Sequence, residues 1–317
     1  MKAVRYHEHG STKVLREEEV ERPVPGVGQV LVKVAATSFN PVDDHIRLGV
    51  LAEAIPTPLP ITPGLDVAGT IAELGEGAGG AEGVDELRVG APVIAMFPLD
   101  AHGGAAEYAV VAADLVTAAP RSVGLADAAS LPLSGLAARQ AAVELAEIAA
   151  GQSVLVNGAG GAVGGFVVQL AVDAGAIVTA VDDPQHTERL RGYGATRVVD
   201  QLDLDAGPAA VDGPFDVVVN HVRLAPEDLA KLTRYVADGG IAVSSAGAVP
   251  ADEERSTRTA GVWVRPSGAH LADLVARVDD GRLKLHVADR RPLHDLPAVH
   301  EDASNGRLLG KTVIVVD

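Results

Sequence analysis

The first third of the chain alternates between apolar and polar positions with the period of a β-strand. This pattern predicts three short strands rich in β-branched residues, at Gln29–Ala36, Val67–Leu74 and Ala91–Met96. Prolines in 23–25 and 56–63 divide the remainder into short pieces. We therefore expect a small antiparallel barrel or sandwich from Met1 to about Arg121, with a surface loop over Gly75–Gly90.

The apolar pattern changes after residue 121. A helical spacing over Ala126–Ala150 predicts helical structure there, and short apolar runs then alternate with helical segments as far as Val264. The runs predict strands at Ser153–Asn157, Ile177–Val181, Arg197–Val199, Phe215–Asn220, Gly240–Ser244 and Gly261–Val264. Strands without polar alternation, spaced by helices, are typical of a parallel sheet that is covered on both faces.

The last part of the chain, 265–317, predicts two helices and two strands. The helices fall at Leu271–Val278 and Leu293–Ser304, and the strands near Lys284–Val287 and at Thr312–Val316. A terminal strand this apolar needs a sheet to join, so we expect it to return to the first domain. The predicted fold class is α/β, with a doubly wound parallel sheet over 122–264 and a discontinuous β-rich domain formed by 1–121 and 265–317.

The amino-acid composition limits the kinds of partner that this protein is expected to bind. The formal net charge of −17 and an aromatic content of 3% argue against nucleic acid as a partner. The sequence contains no apolar run of membrane-spanning length, and its polar first ten residues are unlike a signal peptide, so we expect a cytoplasmic protein with no membrane partner. The chain has no cysteine, which excludes disulfides, thiol nucleophiles and thiolate metal ligands.

A run of small residues, N-G-A-G-G-A-V-G, follows the strand at Ser153–Asn157 and opens the next helix. Backbone amides at a helix N-terminus are unpaired and favour anions, and a pyrophosphate reaches them only where no Cβ intervenes. In this strand–turn–helix setting the spacing predicts a dinucleotide site. The alternative is a tight turn with no ligand. The candidate cofactor-binding residues are Gly158, Gly160, Gly161, Ala162, Val163 and Gly164.

Asp182 stands at the end of the next predicted strand, 18 residues after Gly164. An acidic residue at this point typically accepts hydrogen bonds from the adenosine ribose and repels a 2′-phosphate, which favours NADH over NADPH. Arg189 and Arg191 follow and would soften that preference. In the alternative reading, Asp182 and Asp183 only cap the turn before Pro184.

Several motifs in their order along the chain resemble the quinone oxidoreductase branch of the medium-chain dehydrogenase/reductase superfamily. They are Asn40-Pro41-Val42-Asp43, Pro63-Gly64-Leu65-Asp66-Val67-Ala68-Gly69, Gly103-Gly104-Ala105-Ala106-Glu107-Tyr108, Leu131-Pro132-Leu133-Ser134-Gly135-Leu136, the Gly158–Gly164 turn and Gly310-Lys311-Thr312-Val313-Ile314. The resemblance implies a GroES-like catalytic domain, a Rossmann-type cofactor domain and an active site in the cleft between them. It also implies hydride transfer from NAD(P)H, usually NADPH, to a small-molecule quinone or α,β-unsaturated carbonyl, and a homodimer.

Zinc alcohol dehydrogenases belong to the same superfamily. They use cysteine ligands and carry Gly-His-Glu where this chain reads Gly64-Leu65-Asp66. An all-histidine and aspartate site is conceivable, but the only close pair with ligand-like spacing is His7-x-His9. We therefore expect no catalytic metal.

Without a metal, the negative charge that hydride transfer leaves on the acceptor oxygen needs hydrogen-bond donors or a proton source. The candidates are Asn40, as the donor to the oxygen, Asp43, as its orienting partner or a ribose ligand, and His45, as a proton relay. In the alternatives Asn40 is a turn residue before Pro41 and His45 is a solvent-exposed loop residue. Relatives usually carry an aromatic residue at position 45.

Other cofactor-binding candidates stand at the ends of the later predicted strands. Asn220 is placed to bind ribose or carboxamide, Ser244 and Ser245 are small enough to pass a nicotinamide ring, and Lys311 reaches the cofactor or is a solvated edge residue. His221 and Ala137 depart from the family pattern. Two other functions stay open: an alcohol or polyol dehydrogenase, and a non-catalytic nucleotide-binding protein with a structural or redox-sensing role.

Overall fold

The computed structural model describes residues 1–80 and 87–316, so part of the predicted loop over Gly75–Gly90 lies outside the described residues. Its strands are β1 (Lys2–Arg5), β2 (Arg16–Glu19), β3 (Gln29–Ser38), β4 (Asp66–Leu74), β5 (Pro92–Met96), β6 (Tyr108–Ala112), β7 (Val116–Ala118), β8 (Ser153–Asn157), β9 (Ile177–Val181), β10 (Arg197–Val199), β11 (Phe215–Asn220), β12 (Val236–Ser244), β13 (Arg258–Gly261), β14 (Asp289–Pro292) and β15 (Thr312–Val315). Its α-helices are α1 (Pro41–Arg47), α2 (Leu125–Ala128), α3 (Pro132–Arg139), α4 (Ala162–Asp173), α5 (Thr187–Gly192), α6 (Pro226–Leu232), α7 (Gly268–Asp279) and α8 (Leu296–Ser304).

The chain divides into two compact units. The first comprises Met1–Leu136, Arg265–Gly281 and Leu285–Asp317, and the second comprises Ala137–Val264 with Arg282–Lys284. Residues 122–136, which the sequence assigned to the second domain, belong to the first unit. The Leu133 amide donates to Asp66 Oδ1 at 2.7 Å, which ties α3 to β4 of that unit.

The first unit is built on a mostly antiparallel sheet with the strand path β14-β15-β3-β4-β5-β7, and β6 pairs with β3. β15 pairs antiparallel with β3, from Val313 opposite Ser38 to Val315 opposite Ala36, so the terminal strand does join the first sheet as predicted. The strand expected near Lys284–Val287 lies later, at β14, where its backbone pairs in parallel with β15. β1 and β2 form a separate two-stranded ribbon.

The second unit contains a six-stranded parallel sheet in the order β10-β9-β8-β11-β12-β13. This is the doubly wound order, in which the next two strands in sequence, β9 and β10, lie on one side of β8 and the later three lie on the other. The α/β prediction is therefore confirmed. The order reverses between β8 and β11, and ligands of such sheets bind beyond the carboxyl ends of the strands at that point.

The segment Ala126–Ala150, predicted to be helical, is divided into shorter helical pieces. The structure has α2, a break, then α3 continued by a π-helical turn at Gln140–Leu145. Pro132 explains the break, because it lacks the backbone N–H that a continuing helix requires. The segment ends where Glu147 takes a positive φ of 48°.

Candidate active site

At three of the four glycines in the turn between β8 and α4, the packing or the backbone disfavours a side chain. Gly158 has a φ of +84°, and a Cβ at Gly164 would overlap the Gly158 carbonyl. A Cβ at Gly160 would overlap His186 Nδ1 and the Asp182 carboxylate. At these three positions the glycines are explained by the turn itself.

Gly161 differs from the other glycines of this turn. Its φ of −69° suits any residue, and a Cβ there would meet only the Gly158 carbonyl oxygen, at an ordinary 3.5 Å. Neither the packing nor the backbone of the described protein requires glycine at this position. Gly161 is also the N-cap of the 12-residue α4, whose end carries no side-chain cap and no acidic residue in its first turn. The opening at Gly161 and the amides of Ala162, Val163 and Gly164 therefore fit an anion bound at the helix N-terminus.

Asp182 is held against this turn. Its Oδ2 accepts from the Gly160 amide at 2.7 Å, and its Oδ1 accepts from the Asp183 amide at 2.9 Å and lies 2.6 Å from His186 Nδ1. Arg189 Nη2 donates to the Gly160 carbonyl at 2.8 Å. The acid predicted to face the ribose thus lies at the glycine turn, with two basic side chains beside it. Asp183 caps the following turn by accepting from the Gln185 amide.

Three polar residues stand in register at the carboxyl ends of β8, β11 and β12. Asn157 lies opposite Asn220, and Asn220 opposite Ser244. Asn157 Nδ2 donates to Asn220 Oδ1 at 2.9 Å, and Asn220 Nδ2 donates to the Val222 carbonyl at 2.9 Å and to Ser244 Oγ at 3.3 Å. The sequence analysis missed Asn157, although a polar residue that ends a buried strand is a usable signal.

Together the second unit gathers Gly158–Gly164, Asp182, Asn220, Ser244 and Ser245 at one edge of its parallel sheet. His221 lies there too, and its Nδ1 is 2.8 Å from the exposed Ser245 Oγ. Burial of the imidazole lowers its pKa to about 4, so the ring is neutral at pH 7.

In the first unit a buried polar network surrounds Asp66. Asp66 Oδ2 accepts from Asn40 Nδ2 at 2.8 Å, from Lys311 Nζ at 3.3 Å and from the Ser38 hydroxyl. Lys311 Nζ also donates to Asn40 Oδ1 at 2.6 Å and to the Phe39 carbonyl at 3.3 Å. Lys311 is only 7% exposed, so the alternative of a solvated edge lysine is wrong.

The amide of Asn40 is engaged on both sides by this network. Besides the bonds to Asp66 and Lys311, its Nδ2 makes a long contact of 3.4 Å to the Ser38 carbonyl. Asn40 also begins α1, where its backbone amide donates to Asp43 Oδ2 at 2.8 Å. The structure therefore brings Asn40, Asp43 and Lys311 together, while His45 lies half-buried in the last turn of α1.

Asp43 is a buried carboxyl with few compensating contacts. Burial raises its pKa from the ordinary 3.8 to about 6, against the opposing effects of His300 and the Asn40 amide. It lines a small pocket with Tyr6, Ile46 and Thr62. The Tyr6 hydroxyl has no hydrogen-bond partner within residues 1–80 and 87–316, and burial raises the pKa of that phenol as well.

The raised pKa of Asp43 makes the stability of the fold depend on pH. A carboxyl whose pKa is higher in the folded state stabilises the fold below pH 4, and that stability is lost as the pH rises through 6. We expect the free energy of unfolding of the wild type, relative to Asp43→Asn, to fall by about 2 kcal/mol between pH 4 and pH 7. Urea unfolding of both proteins across this range measures it. Parallel pH profiles for the two proteins would contradict the assignment.

A second buried cluster of the first unit was not found from the sequence. Arg47 and His300 are each 1% exposed, and Asp44 Oδ1 lies 2.7 Å from Arg47 Nη2 and 2.6 Å from His300 Nδ1. Burial opposes ionisation of Asp44, but the hydrogen bonds from His300 and Arg47 prevail and lower its pKa. Residues so far apart in the chain give no local signal. These hydrogen bonds connect α1 to α8.

Over the described ranges, no three His, Cys, Asp or Glu side chains are grouped as a metal ion would need. Among the helices described, none combines the length and the apolar character needed to cross a membrane.

Known proteins share both parts of this architecture. The family described as "Alcohol dehydrogenase GroES-like domain" matches residues 26–121, and the family described as "Zinc-binding dehydrogenase" matches residues 193–314. The chain is 31% identical to a quinone oxidoreductase of Mus musculus, over 98% of this chain and 96% of that protein. It is 32% identical to a 2-methylene-furan-3-one reductase of Solanum lycopersicum, over 99% of this chain and 79% of that protein.

A solved mycobacterial structure, complexed with NADPH, is similar over its whole length. It is 25% identical, with a TM-score of 0.83, and 99% of each chain is covered. The chain therefore belongs to the medium-chain dehydrogenase/reductase superfamily, in its quinone oxidoreductase branch. It is an oxidoreductase with a GroES-like domain and the fold of nicotinamide-dependent enzymes, as the sequence motifs predicted.

Proposed function

We propose that this protein transfers a hydride from NAD(P)H to a quinone or an α,β-unsaturated carbonyl without zinc. The observation that carries the proposal is the opening at Gly161, where the fold leaves unfilled space in front of a helix N-terminus. The names of two relatives, a quinone oxidoreductase and a furanone reductase, support the two classes of acceptor.

The residues of the second unit fit a dinucleotide in an extended conformation. The turn at Gly158–Gly164 and the start of α4 would hold the pyrophosphate, Asp182 the adenosine ribose, and Asn220, Ser244 and Ser245 the nicotinamide half. When bound, the reduced nicotinamide supplies the hydride. The protein would position the dinucleotide and the acceptor, and it would stabilise the charge that develops on the acceptor oxygen.

For that charge we propose Asn40, Asp43 and His45, as the sequence suggested. Asn40 Nδ2 has one strong bond, to Asp66, and one weak contact of 3.4 Å, to the Ser38 carbonyl. The N–H in the weak contact is the one that an acceptor oxygen could take over, while Lys311 and Asp66 fix the orientation of the amide. Asp43 holds the backbone at Asn40, and His45, on the same helix, would return the proton. Lys311 then positions the Asn40 amide.

Two features support catalysis without zinc. The chain has no cysteine, and Leu65 stands where zinc-dependent members carry a histidine ligand. The polar network around Asp66 offers hydrogen-bond donors for the task that a metal performs in those relatives.

Asp182 favours NADH in this proposal, although the family uses NADPH more often. In Asp182→Ser we expect the ratio of kcat/KM for NADPH to that for NADH to rise about tenfold or more, because a charge that repels the 2′-phosphate is removed while Arg189 remains. Steady-state kinetics with both coenzymes measures the ratio. Asp183→Ser is the matched control, since Asp183 is exposed and serine keeps its capping function. An equal shift in both variants would refute the role of Asp182.

A coenzyme and acceptor screen tests the proposed function. Protein dialysed against a chelator is assayed with NADH and NADPH against 1,4-quinones, enals and enones, and with NAD⁺ and NADP⁺ against alcohols and polyols. We expect turnover with a quinone or an enone that persists after chelation. Alcohol oxidation restored by zinc would favour an alcohol dehydrogenase, and tight coenzyme binding without turnover would favour a non-catalytic role.

We also propose a homodimer. β13 is the edge of the six-stranded sheet, and the exposed Trp263 follows it. An open edge beside an exposed aromatic side chain is a surface that a second copy can cover by strand pairing. Light scattering after size exclusion tests this. The cytoplasmic location stays a prediction from the sequence.

A further inference from the structure

Ser245 and His221 form a pair whose position is fixed by the backbone. The His221 amide donates to the Asn157 carbonyl at 2.9 Å, and the Ser245 amide donates to the Asn220 carbonyl at 3.1 Å. Each residue therefore follows a strand end directly and is held by the end of a neighbouring strand. The two side chains meet through His221 Nδ1 and Ser245 Oγ, 2.8 Å apart.

The position of the proton on the His221 ring decides whether the Ser245 hydroxyl can donate a hydrogen bond to a ligand. Within the part of the chain that the structure describes, His221 Nε2 is buried and has no hydrogen-bond partner. An unpaired buried N–H is rarer in proteins than an unpaired acceptor, so the proton of the neutral ring belongs on Nδ1. Nδ1 then donates to Ser245 Oγ. Because the serine oxygen is the acceptor in that bond, its own O–H is left to donate to a partner outside the pair.

The sheet order places this hydroxyl on a particular side of the site. The glycine turn follows β8, and Asp182, at the adenosine ribose in our proposal, follows β9 on one side of it. β11 and β12 lie on the other side of β8, and Ser245 comes directly after β12. A dinucleotide that crosses the turn therefore carries its second ribose toward Ser245. The contact of a Cβ at Gly158 with His221 Cβ, 3.3 Å, places the pair beside the turn itself.

We infer that Ser245 donates a hydrogen bond to the ribose of the nicotinamide half of the bound dinucleotide, and that His221 is the positioning residue that fixes the serine hydroxyl. The inference rests on the proposed cofactor site and adds to it the ligand group that Ser245 contacts and the positioning role of His221. A hydroxyl is the matching ligand group, because the pair is uncharged and offers a single donor.

Two ligand fragments test the inference without any catalytic assay. ADP-ribose contains the second ribose, whereas ADP lacks it. We expect Ser245→Ala to raise the Kd of ADP-ribose about fivefold and to leave the Kd of ADP unchanged, by calorimetric titration. Ser245→Thr keeps the hydroxyl and should restore the affinity of the wild type. Ser245 is exposed, so none of these variants threatens the fold.

The positioning role of His221 needs a double-mutant cycle. His221→Phe should weaken ADP-ribose by a similar factor, and the double variant should be no weaker than either single variant, since both remove the same hydrogen bond. If His221→Phe lowers the melting temperature, His221→Ala, which also removes the donor to the serine, replaces it in the cycle. Equal losses for ADP and ADP-ribose, or additive losses, would overturn the inference. Failure of the wild type to bind either fragment would instead overturn the proposed cofactor site.

Discussion

Replacing Gly161 with valine is expected to weaken NADH binding about a hundredfold or more, equivalent to about 3 kcal/mol, while the fold stays intact. A Cβ at position 161 meets nothing closer than 3.5 Å in the protein, and the backbone there suits a side chain. The added methyl groups would therefore occupy the space that we assign to the pyrophosphate. Fluorescence titration with NADH measures the affinity, and circular dichroism confirms the fold.

Gly192→Val is the matched control for this experiment. Gly192 lies at the end of α5 in the same unit, and a Cβ there also meets nothing within 4 Å. Its substitution should leave NADH affinity within about twofold, since the added side chain meets no other atom and valine has a higher helix propensity than glycine. If Gly161→Val bound NADH as tightly as the wild type, the assignment of this turn to the pyrophosphate would be wrong. The alternative of a tight turn with no ligand would then hold.

The second large effect concerns the buried ion pair between Lys311 and Asp66. Lys311→Met should lower the free energy of unfolding by about 3 to 5 kcal/mol, because it leaves a buried carboxylate without its cationic partner. Urea unfolding at pH 7, followed by circular dichroism, measures the loss. The double variant Lys311→Met/Asp66→Asn should recover part of it, since the uncompensated charge is then gone.

Lys33→Met is the control for that substitution, because Lys33 is an exposed lysine on β3 of the same unit. Its stability should change by less than about 0.5 kcal/mol. If Lys311→Met were as stable as this control, the network around Asp66 would not hold Asn40 in place, and the proposed orientation of the Asn40 amide would lose its basis.

The features that could be predicted from the sequence are those encoded within a few residues. The turn at Gly158–Gly164 follows an apolar strand immediately, so its residue types and its setting appear in one short stretch. The terminal strand β15 was predicted correctly because its apolar run demands a partner strand. The break before α3 depends on Pro132, which the helical spacing of the surrounding residues obscured.

The contacts of the candidate active site depended instead on distant parts of the chain. Lys311 and Asn40 are 271 positions apart, and no spacing rule connects them. The same is true of Asn157 and Asn220, which meet only because β8 and β11 pair in register. Sequence analysis predicted Asn40 as a donor to the acceptor oxygen but not the contacts of its amide with Asp66 and Lys311. The residue types were therefore predictable, and their hydrogen-bond partners were not.

The central claim is hydride transfer from a nicotinamide to a conjugated acceptor, and isotope transfer tests it most directly. Chelator-treated protein is incubated with an enone and, in separate reactions, with NADH or NADPH deuterated at either face of C4, and the product is analysed by mass spectrometry and NMR. We predict that the saturated ketone carries one deuterium at its β-carbon. The deuterium should come from only one face of C4, with NADH, NADPH or both as the donor. A saturated product without deuterium from any of them, or no product from any quinone or enone despite bound coenzyme, would contradict the account.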